Sequence, residues 1–250
     1  MVRCDQALAF CTCQFTKVKI LTFLVTNDDG IDASGIRVLH QALSQVTMDP
    51  IVVVAPKHHQ SGCGHRVNIR TVIPVEWRSQ TQVSVDSTPA DCVRLGVNYL
   101  YNDIHFVVSG VNEGCNLGSD IYPSGTIAAA REATIHKIPA ISFSHFKRSD
   151  WELDWERATK WTVRVLEKLL AQPLESGTFW SVNFPHLEAE APEPELVFCS
   201  LCTRPLLAEF VEKENGYLYV GDDINRKSDS GTDVDVCLSG NIAIAQGRLW

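Results

Sequence analysis

Long apolar, β-branched segments alternate with segments of helical periodicity between residues 18 and 144, and no other feature restricts the fold of this 250-residue chain as strongly. Continuous apolar runs, without a polar residue at every second position, are typical of strands buried on both faces. Apolar residues recur at helical spacing between the first two runs, and an Ala-rich helix is predicted from Ser124 onward. The predicted strands are 18–26, 51–55, 105–110 and 139–144.

Strands separated by helices predict a parallel sheet with right-handed crossovers, so we expect a doubly wound, Rossmann-like α/β fold with three αβα layers. A fifth strand is predicted at 178–185 and a hairpin at 209–219, with its turn at Asn215-Gly216. A protruding hairpin late in an α/β chain is typical of an oligomerisation arm. We therefore divide the chain into an N-terminal extension (1–18), a Rossmann-like catalytic core (19–190) and a smaller C-terminal hairpin and oligomerisation region (191–250).

Charge and cysteine content limit the partners and the compartment. The formal net charge of -8 offers no basic surplus to displace counterions, so we expect no nucleic-acid polymer as partner. The nine cysteines are odd in number and scattered, as is typical of free thiols in a reducing cytoplasm. The N-terminal segment carries Asp5 at a position where a signal peptide is basic, which argues against a signal peptide. No apolar run in the sequence is long enough to span a bilayer. We expect a cytoplasmic protein with no membrane partner.

A capping-box pattern at Ser149 and Glu152 predicts a further helix, and the surrounding sequence contains Trp151, Trp155 and Trp161. Such tryptophans form either an aromatic binding surface or a face that packs against the protein or a partner subunit. The packing arrangement is the more common one, and we expect it here.

Polar segments follow three of the predicted strands at the point where each strand ends. They are Asn27-Asp28-Asp29-Gly30, the loop 56–66, and Ser109-Gly110-Val111-Asn112. In open α/β sheets ligands bind beyond the carboxyl ends of the strands, so we expect these three segments to converge.

Asp28 and Asp29 follow a buried strand, where adjacent carboxylates repel each other unless a positive group neutralises them. A hard divalent cation such as Mg²⁺ or Mn²⁺ takes oxygen ligands, and Ser61 and Asn112 would complete an oxygen set. In the alternative, one aspartate only caps a helix that starts near Ile31. We favour the cation, because the pair lies beside convergent loops.

A second polar element combines Asn116 with Ser124, Gly125 and Thr126 at a predicted helix start. Backbone N–H groups at a helix N-terminus, accessible at a glycine and flanked by two hydroxyls, are suited to bind phosphate. The alternative is a simple Ser cap on an Ala-rich helix. The sequence has neither G-x-G-x-x-G after its first strand nor a G-x-x-x-x-G-K-[ST] loop, so a dinucleotide oxidoreductase and a P-loop NTPase lose their main support.

Five segments together resemble the signature blocks of the SurE family, in the order and at roughly the spacing of that family. They extend from about Lys19 to Ser144, with weaker similarity in SVNFP and GTDVDV further along the chain. The blocks are TNDDGIDASGIRVL, VVVAPKHHQSG, STPADCVRLGV, VVSGVNEGCNLG and SGTIAAAREA.

The resemblance implies a divalent-metal-dependent phosphatase that hydrolyses nucleoside 5′-monophosphates, with 3′-monophosphates and short polyphosphate as further substrates. Together with the predicted hairpin, it implies a homodimer or a homotetramer. The family's ligands to one divalent ion, Mg²⁺ or Mn²⁺, correspond here to Asp28, Asp29, Ser61 and Asn112. Its phosphate-contacting positions correspond to Asn116, Ser124, Gly125 and Thr126.

The mechanism expected from these residues assigns catalytic roles to Asp28, Asp29 and Asn116. Either aspartate orients or deprotonates the attacking water, and the Asn116 amide stabilises charge on the phosphoryl oxygens. Three alternatives remain: an aspartyl-phosphate enzyme, which usually needs D-x-D spacing, a non-catalytic nucleotide or metal sensor, and an oligomeric scaffold. The candidate acids for the leaving group are the loop histidines His58, His59 and His65, which in the alternative are simply solvated.

Overall fold

The computed structural model describes residues 21–148, 151–206, 209–220 and 226–250, so the predicted extension at 1–18 lies outside the described residues. None of the described helices is both long and apolar enough to cross a bilayer. The helices are α1 (Ser34–Val46), α2 (Pro89–Leu95), α3 (Gly125–Ile135), α4 (Trp155–Leu170) and α5 (Asp233–Leu238). The strands are β1 (Thr22–Thr26), β2 (Ile51–Pro56), β3 (Val75–Trp77), β4 (Gln82–Val85), β5 (Ile104–Glu113), β6 (Ala140–His145), β7 (Thr178–Phe184), β8 (Leu196–Cys199), β9 (Phe210–Lys213), β10 (Gly216–Tyr219) and β11 (Ile242–Arg248).

Nine of these strands form one twisted sheet in the order β3-β4-β2-β1-β5-β6-β7-β11-β8. All neighbours from β4 to β7 are parallel, whereas β3 and β11 run antiparallel to β4 and β7. Helices α1 and α4 pack on one face of the sheet, and α2 and α3 pack on the other. The predicted three-layer, doubly wound α/β fold is confirmed.

The side chains of β1 alternate between the two faces, which explains why its sequence is apolar at every position. Phe23 and Val25 pack with α1 and α4, while Leu24 packs with α2 and α3. Because successive residues of an extended chain point to opposite sides, Asp28 and Asp29 are expected to diverge in the same way if the chain stays extended past the strand.

Residues beyond 190 complete the sheet and also form the hairpin. Strands β8 and β11 join the main sheet beside β7. A third core cluster connects Leu117 and Phe146, near the ends of β5 and β6, to Val234 and Cys237 of α5. The predicted boundary at residue 190 therefore falls between two strands of a single sheet.

Helix α4 begins later than the capping-box pattern predicts. Its N-cap is Asp154, whose side chain accepts an amide hydrogen of the first turn at 2.9 Å, and its first residue is Trp155. Trp151 therefore precedes the helix, and the predicted cap Ser149 lies outside the described residues. Trp161 is buried in the core, in agreement with the packing interpretation.

The hairpin of β9 and β10 forms a separate two-stranded sheet. Lys213 pairs with Gly216, so the turn consists of Glu214 and Asn215 and lies one residue before the predicted Asn215-Gly216.

Candidate active site

The three polar segments meet at the carboxyl edge of the sheet, on either side of β1. Strand β2 lies on one side of β1 and β5 on the other, so this edge is the topological switch point of the fold. The amide of Gln60 donates to the carbonyl oxygen of Asp28 at 2.7 Å, and the amide of Glu113 donates to Asp29 Oδ2 at 3.2 Å. These bonds connect the loop after β2 and the end of β5 to the segment after β1.

The segment after β1 is a tight turn held by Asn27. Its Nδ2 donates to the Gly30 carbonyl at 2.8 Å, and its Oδ1 accepts from the Gly30 amide at 3.2 Å. Gly30 has a φ of +105°, which glycine adopts without steric cost. The N-cap of α1 is Ala33, with no side-chain hydrogen bond, so the alternative in which Asp28 or Asp29 caps this helix is wrong.

Asp28 points toward α3 and is almost fully buried, with 4% of its surface exposed. Its Oδ1 accepts a hydrogen bond from the Thr126 hydroxyl. A Cβ on Gly125 would lie 2.9 Å from Asp28 Cβ and 3.0 Å from its Oδ2, so a glycine is needed for this close approach. Burial, and secondly the neighbouring Asp29 carboxylate, raise the pKa of Asp28 to about 6.

Asp29 points away from α3, toward the start of α1. Its Oδ1 lies 3.4 Å from His59 Nδ1. Burial raises the pKa of Asp29, and the hydrogen bond from the Glu113 amide partly offsets this by lowering it. A groove of about 460 Å³, called here the Asp29 groove, opens on this side. It is lined by Asp29, residues 33–35, His59, Glu113, Lys147 and Trp155.

The aspartate pair fits a hard divalent cation. Within the described ranges no lysine or arginine forms a salt bridge with Asp28 or Asp29, and only His59 approaches the pair. Two adjacent carboxylates withdrawn from water are stable only with a proton or a cation. The described residues contain no group of three or more His, Cys, Asp or Glu side chains arranged to hold a metal ion. A site built on this pair would therefore use neutral oxygen ligands for the rest of its coordination, as Mg²⁺ sites do.

The two neutral ligands predicted from the sequence differ in how closely they approach the aspartates. Asn112, near the end of β5, donates through Nδ2 to the Gly114 carbonyl at 2.8 Å, so Oδ1 is the end left to face a cation. Ser61 follows Gln60, whose amide is bonded to Asp28. Ser61 itself is exposed, and its hydroxyl makes no hydrogen bond to the described part of the chain.

The N-terminus of α3 presents free amides beside Asp28. The Ser124 side chain caps the helix by accepting the Ile127 amide hydrogen at 3.1 Å. The amides of Gly125 and Thr126 belong to the first turn and have no partner within the helix. The Ser cap and the predicted phosphate-binding amides are thus compatible, and the capped helix directs two N–H groups toward the carboxyl edge of the sheet.

Asn116 lies in the loop between β5 and α3 and is held on three sides. Its backbone amide donates to Asn183 Oδ1 at 2.8 Å, and its carbonyl accepts from Asn183 Nδ2 at 3.1 Å. Its side-chain Nδ2 donates to Ser144 Oγ at 2.7 Å. One of the two Nδ2 hydrogens is therefore used, and the other, which has no partner among the described residues, can meet a phosphoryl oxygen.

Sequence reasoning missed the residues that hold this loop. Asn183 belongs to β7, and Asp233 of α5 accepts hydrogen bonds from the amides of Gly118 and Cys202 at 2.7 Å each. A Cβ on Gly118 would lie 2.8 Å from the Cys202 carbonyl, which requires a glycine there. The available signal was the weak similarity in SVNFP and GTDVDV, which contain these two side chains.

The three loop histidines occupy different positions. His59 lies beside Asp29 on the wall of the Asp29 groove. His65 Nε2 is 2.7 Å from Glu132 Oε2 and ties the loop to α3. His58 is exposed. Of the three, only His59 contacts a predicted site residue.

Known proteins are similar to this chain over most of its length, and residues 23–206 match the family described as Survival protein SurE. The chain belongs to the SurE family. All of the predicted site residues, from Asp28 to Thr126, lie inside the matched segment.

Several SurE relatives cover nearly the whole chain. A Nostoc sp. protein, provisionally named a 5′-nucleotidase, is 48% identical over 229 residues, which are 92% of this chain and 100% of that protein. The 5′-nucleotidase SurE of Paramagnetospirillum magneticum is 35% identical over 90% of this chain and 88% of its own length. The crystal structure of the SurE protein from Aquifex aeolicus has a TM-score of 0.78 and 31% identity, covering 91% of this chain and 93% of that chain.

Proposed function

We propose that this protein is a divalent-metal-dependent phosphomonoesterase that hydrolyses nucleoside 5′-monophosphates to nucleoside and phosphate. One observation carries the proposal: the buried Asp28 carboxylate lies against Gly125, at a helix N-terminus whose first amides are free. An acidic pair suited to a cation thus lies beside a group of donors suited to a phosphate. The names of the relatives favour the 5′-ester, and nucleoside 3′-monophosphates and short polyphosphate are proposed as further substrates.

The proposed metal site holds one divalent ion, Mg²⁺ or Mn²⁺. When bound, the ion supplies Lewis-acid polarisation of the phosphoryl group and lowers the pKa of the attacking water. The residues proposed to hold it are Asp28, Asp29, Ser61 and Asn112. Ser61 is exposed, and no hydrogen bond to the described residues holds its hydroxyl in place.

The residues around the proposed substrate have distinct roles. The amides of Gly125 and Thr126 and the free Nδ2 hydrogen of Asn116 donate to phosphoryl oxygens, while Ser124 holds the helix start in shape. Asp29 faces the open groove and is the better placed aspartate to orient the attacking water, because Asp28 is enclosed by α3. His59, beside Asp29, is the proposed proton donor to the leaving group.

Phosphate release from a panel of nucleoside 5′- and 3′-monophosphates, with Mg²⁺, with Mn²⁺ and with EDTA, tests this function. We expect metal-dependent release that is lost in Asp28→Asn and in Asp29→Asn. Asp32→Asn is the matched control, because Asp32 is exposed and paired with Arg78 outside the site. Release that persists in both site variants would contradict the proposed centre. Nucleotide binding without turnover would favour the sensor, and a trapped phosphoenzyme would favour the aspartyl-phosphate enzyme.

The β9–β10 hairpin is proposed as an oligomerisation arm of a homodimer or a homotetramer. A two-stranded sheet is marginally stable alone, yet this one exposes large apolar side chains, which is typical of a surface that packs on another chain. Light scattering would show a monomer for Tyr217→Lys combined with Leu218→Glu. Met48→Lys is a control for an isolated exposed residue. The exposed side chains of the hairpin are Phe210, Val211, Tyr217, Leu218 and Tyr219.

We also propose that the protein works in the cytoplasm, where its thiols stay reduced. Among the described cysteines, Cys92, Cys202 and Cys237 are buried thiols that form no disulfide. The division into a core (19–190) and a C-terminal region (191–250) is retained as a proposal about function, with catalysis in the first and assembly in the second.

A further inference from the structure

A second cavity, of about 380 Å³, lies beside the ends of β6 and β7 and is called here the His145 cavity. It does not include the residues of the Asp29 groove, and neither proposed metal ligands nor proposed phosphate contacts line it. Its main walls are His145, Trp151, Asp154, Arg157, Trp161 and His186.

His145 provides an unused hydrogen-bond acceptor at this cavity. The residue is 2% exposed, and its Nδ1–H donates to the Phe146 carbonyl at 2.9 Å. A ring whose Nδ1 carries the proton has its lone pair on Nε2, which makes no hydrogen bond within the described residues. Burial lowers the pKa of His145 to about 4, so the ring is neutral at physiological pH. A buried acceptor of this kind is best satisfied by a ligand that donates N–H or O–H.

The other walls are aromatic and already hydrogen-bonded. Trp161 Nε1 donates to Glu193 Oε2 at 2.9 Å, which fixes this ring. His186 accepts from the Arg148 amide at 2.9 Å through Nδ1, and its Nε2 is 3.2 Å from the Glu152 carbonyl. The edge of Trp151 meets His186 with centroids 5.1 Å apart. Trp161 is 1% exposed, and the Arg148 guanidinium lies 4.8 Å from the Trp151 ring centroid. The surface that a planar ligand would cover is therefore the other face of Trp151.

The charge around the cavity disfavours a phosphate. Glu152, Asp154 and Glu188 bring three carboxylates to its lining. The guanidinium of Arg157 is already used, because it donates to the carbonyls of Glu188 and Ala191 at 2.8 Å each and lies 5.0 Å from the Trp161 ring. These carboxylates are exposed and partly screened by water, so they disfavour a phosphate on the ligand without excluding it, and they do not act on a neutral ligand.

We propose that the His145 cavity binds the base of a free nucleoside, whose exocyclic amino group donates to His145 Nε2 while its ring packs on the tryptophan wall. A nucleobase is planar, neutral and carries N–H donors, and so it meets each requirement of this cavity. The choice of a nucleoside among such ligands rests on the proposed function, which releases one as product.

The cavity is also connected to the proposed metal site through the sheet. The carbonyl of His145 accepts from the Gly114 amide at 3.0 Å, and the Gly114 carbonyl accepts from Asn112 Nδ2 at 2.8 Å. Two hydrogen bonds therefore join the cavity to a proposed metal ligand.

The test is calorimetric titration of the EDTA-treated full chain with adenosine, N6,N6-dimethyladenosine and adenosine 5′-monophosphate. We expect adenosine to bind more tightly than the dimethyl compound, which has no amino hydrogen. Binding of adenosine 5′-monophosphate, which is also taken by the proposed substrate site, should not depend on Trp151 or His145. Trp151→Ala and His145→Phe should each weaken adenosine binding by about tenfold or more. His145→Gln keeps an acceptor and should restore part of the affinity. Trp77→Ala, an exposed tryptophan on β3, is the matched control and should bind as the unaltered chain does.

The proposal is overturned if Trp151→Ala and His145→Phe bind adenosine as tightly as the unaltered chain, or if the dimethyl compound binds as tightly as adenosine. Phosphate release measured on the same preparations separates the two proposals. A chain that binds adenosine in this cavity without hydrolysing any nucleotide would refute the proposed function and leave the cavity assignment standing. Hydrolysis without adenosine binding would refute the cavity assignment and leave the proposed function standing.

Discussion

The two sides of the sheet at the end of β1 differ in how tightly they hold the proposed site. On the α3 side, Asp28 is buried against Gly125 and hydrogen-bonded to Thr126. On the α1 and α4 side, Asp29 faces an open groove and meets the exposed His59. One aspartate is thus enclosed by backbone and the other is accessible, although they are neighbours in the sequence.

This difference suggests a division of labour. Groups that stabilise charge work best when they are fixed before the substrate arrives, and the closely packed α3 side meets that condition. Groups that admit a substrate and exchange protons need access, and the Asp29 groove provides it. Apart from the aspartates and His59, we therefore expect changes on the α3 side to have large effects on the rate constant, and changes at the rim of the Asp29 groove to have small ones.

The largest effect is expected from Gly125→Ala. The new Cβ would lie 2.9 Å from Asp28 Cβ and 2.9 Å from Cys63 Sγ, so helix α3 or the aspartate must move. We expect kcat for nucleotide hydrolysis to fall by about 100-fold or more, because the amide donors leave their positions. Gly231→Ala is the control for backbone strain without a steric clash, since Gly231 has a φ of +76° and open space around it, whereas Gly125 is crowded without a positive φ. Full activity of Gly125→Ala would show that the close packing of the α3 side is unimportant.

Asp28→Asn should stabilise the metal-free protein. The folded-state pKa of Asp28 is raised from 3.8 to about 6, so between these values the folded state holds more protons than the unfolded state and stability falls as pH rises. Above pH 6 the cost is complete and amounts to about 3 kcal/mol, since one pKa unit is worth about 1.4 kcal/mol.

Thermal unfolding in EDTA is the measurement that checks this prediction. Asp28→Asn should raise Tm at pH 7, and the difference should disappear at pH 4 and below. Adding Mg²⁺ should raise Tm of the unaltered chain but not of the variant, because the cation replaces the missing neutralisation. Equal Tm values at pH 7 would mean that Asp28 is not an isolated buried charge.

The sequence predicted the closely packed side of the site more completely than the features around it. Asp28, Gly125 and Thr126 lie at ends of regular elements, where buried runs and caps are visible in a single segment. Their approach follows from the rule that the carboxyl ends of parallel strands share one edge.

Contacts between distant segments were not predictable in this way. Asn183 holds both backbone groups of Asn116 from 67 residues away, and no local pattern marks an asparagine in a buried strand as a support. The late start of α4 was not predicted either, because Asp154, and not the predicted Ser149, is the residue that caps this helix. The His145 cavity likewise needs β6, β7 and α4 together.

Asn183→Ala should have an intermediate effect. It leaves the buried amide and carbonyl of Asn116 without partners, which costs about 2 kcal/mol of stability. We expect a fall of about tenfold in kcat with little change in KM, because the loop carrying Asn116 is no longer held. Asn183→Asp keeps the acceptor for the Asn116 amide and should lose less. If KM rose while kcat stayed the same, Asn116 would instead contribute equally to binding of the substrate and of the transition state.

Lys147→Met, on the rim of the Asp29 groove, should have the smallest effect. Lys147 pairs with Glu113, but the side chains of the two residues are 37% and 46% exposed, and an ion pair so accessible to water contributes less than about 1 kcal/mol. We expect kcat to change by less than about threefold and Tm hardly at all, with any change in KM reduced by added salt. Glu113→Gln breaks the same pair from its other end and should behave alike. A 100-fold loss of kcat in Lys147→Met would mean that catalysis depends on the exact position of groove-side groups as much as on those of the α3 side. The two aspartates would then differ in exposure but not in role.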